Sequence, residues 1–207
     1  MIFNRIKTLL MYIYVSIAVY HITSTFTAHI STLITMAPQR SPLTDPSVLK
    51  QLFAHNLNKL YYGKRYINDN LAHLIEIASF KALQLALQEL QDDVKAQISR
   101  LNEVYVAASV TPSDDECIPI KAIFKETFAL EKKGIGMELL SDIDIMLYMQ
   151  LIEHINITAY RMLRILAKQM NLKEIDQLLI ECFDESVDDD RLFMMIINEY
   201  LSDKARQ

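Results

Sequence analysis

The residues best placed to do chemistry lie near the end of the chain, in the segment 172–201, LKEIDQLLIECFDESVDDDRLFMMIINEYL. Reading it at helical spacing puts Ile175, Leu178, Cys182, Glu185, Asp189, Leu192 and Ile196 on one face. Glu185 and Asp189 then fall on an otherwise apolar stripe. An ionised carboxylate turned inward without a partner is costly enough to demand a cation or a proton. A metal ion, a basic side chain or water at a bundle edge could each supply the answer.

Three other segments carry polar residues on inward lines. Lys64 sits on the stripe Leu49, Phe53, Asn56/Leu57, Leu60, Ile67, Leu71 and Leu74. Either its stem packs while the ammonium snorkels to water, or the ammonium is a buried partner for a carboxylate. Gln97 is the only polar member of the stripe Leu83, Leu87, Leu90, Val94, Leu101 and Ala108. Glu153 and Asn156 lie on an apolar arc with Met146, Met149, Tyr160, Leu163 and Ala167, while Tyr148, Leu151/Ile152, Ile155, Ala159, Met162 and Leu166 form another face of the same segment. Apolar surface on two sides implies burial on two sides, so either arc could be the core and the other a subunit contact. His154 stands between the arcs and reads either as a hydrogen-bonded packing residue or as a ligand.

The elements that position these residues are long helices. Asp45-Pro46 is an N-cap followed by proline at the first helical position, so a first helix starts there and runs to about Ile77. Ser79 is expected to cap a second helix over 80–108, with Glu89, Asp92, Asp93 and Lys95 on its solvated side. Ser109 to Pro119 is a loop, a short helix follows over 120–132, and Gly134 and Gly136 end it. A third long helix spans about 138–170, with Asn171 at its end, and the segment 172–201 is the fourth. The expected fold is all-α: a ferritin-like four-helix bundle with a long crossover and a short extra helix between helices 2 and 3. No repeat period supports a helical hairpin array.

Composition agrees. The chain has 207 residues, 51% hydrophobic and 23% charged, enough for one domain with a sizeable core. Only three Gly and five Pro favour long uninterrupted elements. The first forty residues carry three basic side chains and no acid, leaving 18 basic against 26 acidic residues, net −8, for the rest. An acidic body argues against nucleic acid as a partner. Cys117 and Cys182 form no zinc or redox spacing, and a reducing, cytoplasmic compartment fits best.

Residues 1–45 read as an N-terminal extension to a bundle domain over 46–207. Within 1–36, a basic start precedes the apolar run Leu9 to Tyr20, short for a membrane span and of signal-peptide length. Three readings stand: text upstream of a true start at Met36, an export signal or membrane anchor, or an added amphipathic segment. Export or membrane attachment would follow only from the second.

The runs LNKLYYGKRYI (57–67), QDDVKAQISRLNEVY (91–105), SDIDIMLYMQLIEHINITAYRMLRILAKQM (141–170) and LLIECFDESVDDDRL (178–192) resemble the YciE/YciF-type ferritin-like proteins. The similarity covers the body of the chain, and its most specific piece is Glu153-His154 followed by Thr158-Ala159-Tyr160. The resemblance implies a dimeric ferritin-like bundle, described as metal-binding and stress-associated in bacteria, with no settled reaction; it fixes no cofactor, iron and manganese being the candidates. Gln97, Glu153, His154, Glu185 and the acid near Asp189 match the family's pattern. Lys64 stands where the family usually has Glu, Leu90 where it has His, Val94 where it has Thr and Asn156 where it has Glu. A dimetal centre needs carboxylates from several helices to balance its charge, and an ammonium among the ligands repels a metal.

Two functions follow. In the first, the protein is a non-catalytic bundle, a homodimer, whose old metal site is filled by an ion pair of Lys64 with Glu185 or Asp189, completed by Gln97 and Asn156. In the second, Glu153, His154, Glu185 and Asp189 hold a single cation for oxidase, peroxidase or storage chemistry. Adjacent Glu153 and His154 diverge by about 100° on a helix, which weighs against the second. No phosphate loop, nucleophile elbow or calcium loop is present, and no catalytic residue is assigned.

Overall fold

The computed structural model describes residues 45–113, 117–129 and 138–204, so Gly134, Gly136 and the readings made of residues 1–44 lie outside the described residues. Among the described residues there are five helices and no strand: α1 (Pro46–Ile77), α2 (Lys81–Ala107), α3 (Ile118–Ala129), α4 (Glu138–Gln169) and α5 (Lys173–Lys204).

The helix ends follow local chemistry. Asp45 caps α1 by accepting the backbone N–H of Ser47 at 2.9 Å, and Pro46 occupies a position whose N–H would have no partner anyway. Between α4 and α5, Asn171 takes a φ of 58°. In that left-handed conformation the Leu172 N–H turns back to the Ala167 carbonyl at 2.9 Å, closing the helix as a C-terminal cap does. Ser109, with φ 49°, ends α2 in the same way, with Val110 N–H on the Tyr105 carbonyl. One expected cap is corrected. The N-cap of α2 is Phe80, with no side-chain hydrogen bond. Ser79 instead gives its N–H and hydroxyl to the two oxygens of Asp142, at 2.9 and 2.6 Å.

The four long helices form a bundle in which α1 lies beside α2 and α4, and α5 beside α4 and α2. Helices α2 and α4 therefore stand across the diagonal, and the segment between them in the chain carries α3. Within it, α3 runs along the α1–α4 seam, with Phe124 edge-on to Tyr66 and Phe128 against His73. Gly63 permits this: a Cβ there would come within 2.7 Å of Ile120 Cδ1 and 3.1 Å of Cys117 Sγ.

The apolar core falls into two clusters. One joins Leu49 to Leu60, Leu101 to Ala108, Tyr160 to Ala167 and Ile175 to Cys182. The other joins Ile67 to Ala78, Leu83 to Val94, Ile145 to Ile152 and Phe193 to Tyr200, with Cys117, Ile120 and Phe124 of the crossover. Two stripes are settled or shifted here. On α4 the core is the arc with Met146, Met149, Tyr160, Leu163 and Ala167, whereas Leu151 and Met162 are exposed. On α5 the buried line is Ile175, Leu179, Cys182, Ser186, Asp189, Phe193 and Ile196, so Leu178, Glu185 and Leu192 lie one position off it.

Candidate functional site

Between the two clusters each long helix exchanges apolar for polar residues at the same height. Helix α1 supplies Lys64, α2 supplies Gln97, α4 supplies Glu153 and Asn156, and α5 supplies Ser186 and Asp189. All but Asp189, which is 3% exposed, are fully buried. In dry surroundings a charge persists only if another charge or a hydrogen bond answers it.

Lys64 finds its answer on α4. Its Nζ lies 3.5 Å from Glu153 Oε2, with neither side chain touching solvent. At that distance the contact is at the long limit of a hydrogen bond, and its attraction is mainly electrostatic. The other carboxylate oxygen, Oε1, accepts Asn156 Nδ2 at 3.0 Å. The ammonium also stands 5.9 Å from the Tyr160 ring centroid, within cation–π range. Tyr160 donates its hydroxyl to Gln97 Oε1 at 3.2 Å, and its own ionisation is pushed well up by burial. Gln97 thus serves Tyr160, not Lys64.

The expected pairing of Lys64 with Glu185 or Asp189 is therefore corrected to Glu153. Glu185, one residue off the buried line, is a quarter exposed, and Arg100 of α2 takes it through Nη1 to Oε2 at 2.8 Å. The Nε of the same guanidinium holds Glu181 at 3.2 Å. Asp189 is buried, and burial is the first cause that raises its carboxyl to about 8. Repulsion from Glu153 adds to the rise, and the Lys64 ammonium opposes it. At neutral pH Asp189 is thus largely protonated, so one ammonium balances one carboxylate. Asp93 of α2 faces Asp189 and is also raised, by partial burial and then by Glu185.

The four residues considered as metal ligands do not converge. His154 points outward with its side chain 64% exposed, its Nε2 3.5 Å from Asp190 Oδ1. Only Glu153 and Asp189 of the set are buried, and the Lys64 ammonium pairs with the first and lowers the carboxyl of the second electrostatically. Among the described residues no group of three or more His, Cys, Asp or Glu is placed to hold a metal ion. The residues present do not fit a di-iron or dimanganese centre, because an ammonium occupies space and charge that such a centre needs.

Sequence spacing does not single out Ser186, Arg100, Asp93 or Tyr160 as site residues. Ser186 carries a signal there, since the line Ile175, Leu179, Cys182, Ser186, Asp189, Phe193 is as regular as the line through Glu185. Four atoms of the layer have no partner: Gln97 Nε2, Asn156 Oδ1, Ser186 Oγ and Asp189 Oδ2. The Cys182 thiol, pushed up to about 11 chiefly by burial, is not an activated nucleophile.

A family described as "Domain of unknown function (DUF892)" matches residues 48–206. Among solved structures, the chain is similar to the stress protein YciF of E. coli, with a TM-score of 0.70 at 20% identity over 74% of this chain and 97% of that one. YcfI from Rhodopseudomonas palustris gives a TM-score of 0.67 at 25% identity over 72% and 94%. A Xanthomonas campestris protein gives 0.55 at 11% identity over 76% and 98%. Comparison with curated proteins finds no match.

Proposed function

The chain belongs to the DUF892 family, and on that premise we propose that it is a non-catalytic helical bundle protein whose polar interior is closed by the Lys64–Glu153 ion pair where a ferritin-like centre would place metal. The observation that carries this reading is the ammonium of Lys64, fully buried at 3.5 Å from Glu153 Oε2. A cation held by the chain itself removes both the anionic ligand and the net negative charge that a divalent ion requires.

Self-association is part of the proposal. Leu147, Leu151, Met162 and Ile165 of α4 are each exposed by more than 40%, and a row of this kind on one helix favours a homodimer through that face. Light scattering tests it, and a monomer at high concentration defeats it. No helix among the described residues is long and apolar enough to cross a membrane.

The functional reading is tested by elemental analysis of protein purified without added metal. Iron and manganese well below one per chain are expected. Stoichiometric metal in the wild type, lost on substitution of Glu153 or Asp189, overturns the proposal. The Lys64→Glu protein supplies the converse, because replacing the cation by an acid restores the charge a metal needs, and uptake of iron or manganese by that variant is expected.

A further inference from the structure

The outer face of α4 carries a row spaced three and four residues apart: Leu147, Leu151, His154, Thr158, Met162 and Ile165. All six are exposed, the four apolar ones between 42% and 56%. On a helix whose opposite side is already buried, a row of this spacing is the seam of a paired helix. Two copies meeting there could run in the same direction or in opposite ones.

The order of residues decides between them. Turned end for end about Asn156, the row maps onto itself: Leu147 takes the place of Ile165, Leu151 that of the Arg161-Met162 step, and His154 that of Thr158. Apolar positions fall on apolar ones and polar on polar. A two-fold interface is isologous, so each residue must suit the one that meets it from the other copy. A surface for an unrelated protein needs no such symmetry.

Charge points the same way. The row continues to Asp144 at one end and Lys168 at the other, and the same reversal exchanges them. In an antiparallel pair each Asp144 faces a Lys168, twice over. In a parallel pair each would face its own kind, which like-charge repulsion disfavours. Lys168 is 60% exposed where it leans on Asp176 at 3.6 Å, so its ammonium can take a second carboxylate. Arg161, the other exposed cation between these ends, is drawn to the α5 side over the Phe183 ring, 5.3 Å from its centroid.

Resting on the homodimer reading above, we infer that this face binds a second copy of the chain through an antiparallel α4–α4 seam. Its two-fold axis passes at the height of Asn156. Leu147 meets Ile165 and Leu151 meets Met162 on either side of the polar centre, and Asp144 meets Lys168 at both ends.

The test is cysteine cross-linking of the purified full chain with a short bismaleimide. Cys117 and Cys182 are buried and stay out of the reaction. Positions 147 and 165 are exposed, so Leu147→Cys and Ile165→Cys spare the core. In the antiparallel seam the two copies of either position stand about 27 Å apart, beyond the reagent's reach. The double variant is therefore expected to give about tenfold or more linked dimer than either single variant, because a held pair reacts as neighbours and not by collision. Linking of either single variant to the same extent as the double, or no linking of the double variant while the wild type scatters light as a dimer, overturns the antiparallel seam and leaves the homodimer. A wild type that scatters as a monomer overturns both.

Discussion

Lys64 Nζ and Glu153 Oε2 face each other across the α1–α4 contact at 3.5 Å, and neither side chain reaches solvent. Removing either charge strands the other in a dry interior. Lys64→Met is therefore expected to lower the unfolding free energy by about 3–5 kcal/mol, as loss of one member of a buried pair does. The double variant Lys64→Met, Glu153→Leu should regain most of that loss, since replacing the whole pair removes the desolvation penalty too. Urea unfolding midpoints measure both. A single variant as stable as the wild type would show that Glu153 does not depend on this ammonium.

Glu185 supplies the contrast. Its partner Arg100 and its own carboxylate are each one-quarter exposed, so water screens the pair and shares its hydrogen bonds. Glu185→Gln should cost no more than about 1 kcal/mol. If it matched Lys64→Met in urea unfolding, Glu185 would belong to the buried layer after all.

Asp189 makes stability depend on pH. Its carboxyl is raised from an ordinary 3.8 to about 8 in the folded protein, chiefly by burial. Between those values the folded chain holds a proton that the unfolded chain has released. Stability therefore falls as pH rises from about 4 through 8, and Asp189 adds no further slope above that. Asp189→Asn removes the ionisation, so it should flatten this part of the profile and melt above the wild type at pH 9. Parallel melting curves of the two proteins from pH 5 to pH 9 would show that Asp189 ionises as freely as an exposed carboxylate.

Asp142 holds the opposite end of α4. It is fully buried and accepts Ser79 N–H, Ser79 Oγ and the Tyr200 hydroxyl, the last at 3.0 Å. Asp142→Ala takes the acceptor from the buried Tyr200 hydroxyl bond and from Ser79, which is exposed and can turn to water, so a cost of about 1–3 kcal/mol is expected. Amide exchange in the last turns of α5 should rise with it. Unchanged exchange there would mean that Tyr200 does not anchor the helix.

The helices could be read from sequence because their stripes are long and their ends are marked by Asp45-Pro46 and Asn171. The inward position of Gln97 and Asp189 could be read as well, whereas spacing leaves Lys64 open between a buried and a snorkelling ammonium, and the arc with Glu153 and Asn156 open between core and subunit contact. The pairing could not. A stripe tells which residues face inward, not which neighbour each meets, and Glu153 looked equally suited to a metal. On α5 a choice one residue away, Glu185 for Ser186, turned a charged group inward that the structure leaves beside Arg100. Leucines on both sides of the true line hid the difference, since Leu178 and Leu179 are equally apolar.

Three polar tiers stand at three heights of the bundle. Asn58 accepts the Tyr105 hydroxyl at 2.6 Å at one end, Lys64 meets Glu153 in the middle, and Asp142 receives Tyr200 at the other end. Leucine stripes alone would tolerate one rod sliding past its neighbour by a helical turn, about 5.4 Å. Here a slip of α1 or α4 breaks bonds in two tiers and a slip of α2 or α5 breaks one, so each rod is held to a vertical alignment, much as notches on a key fix how far it enters a lock.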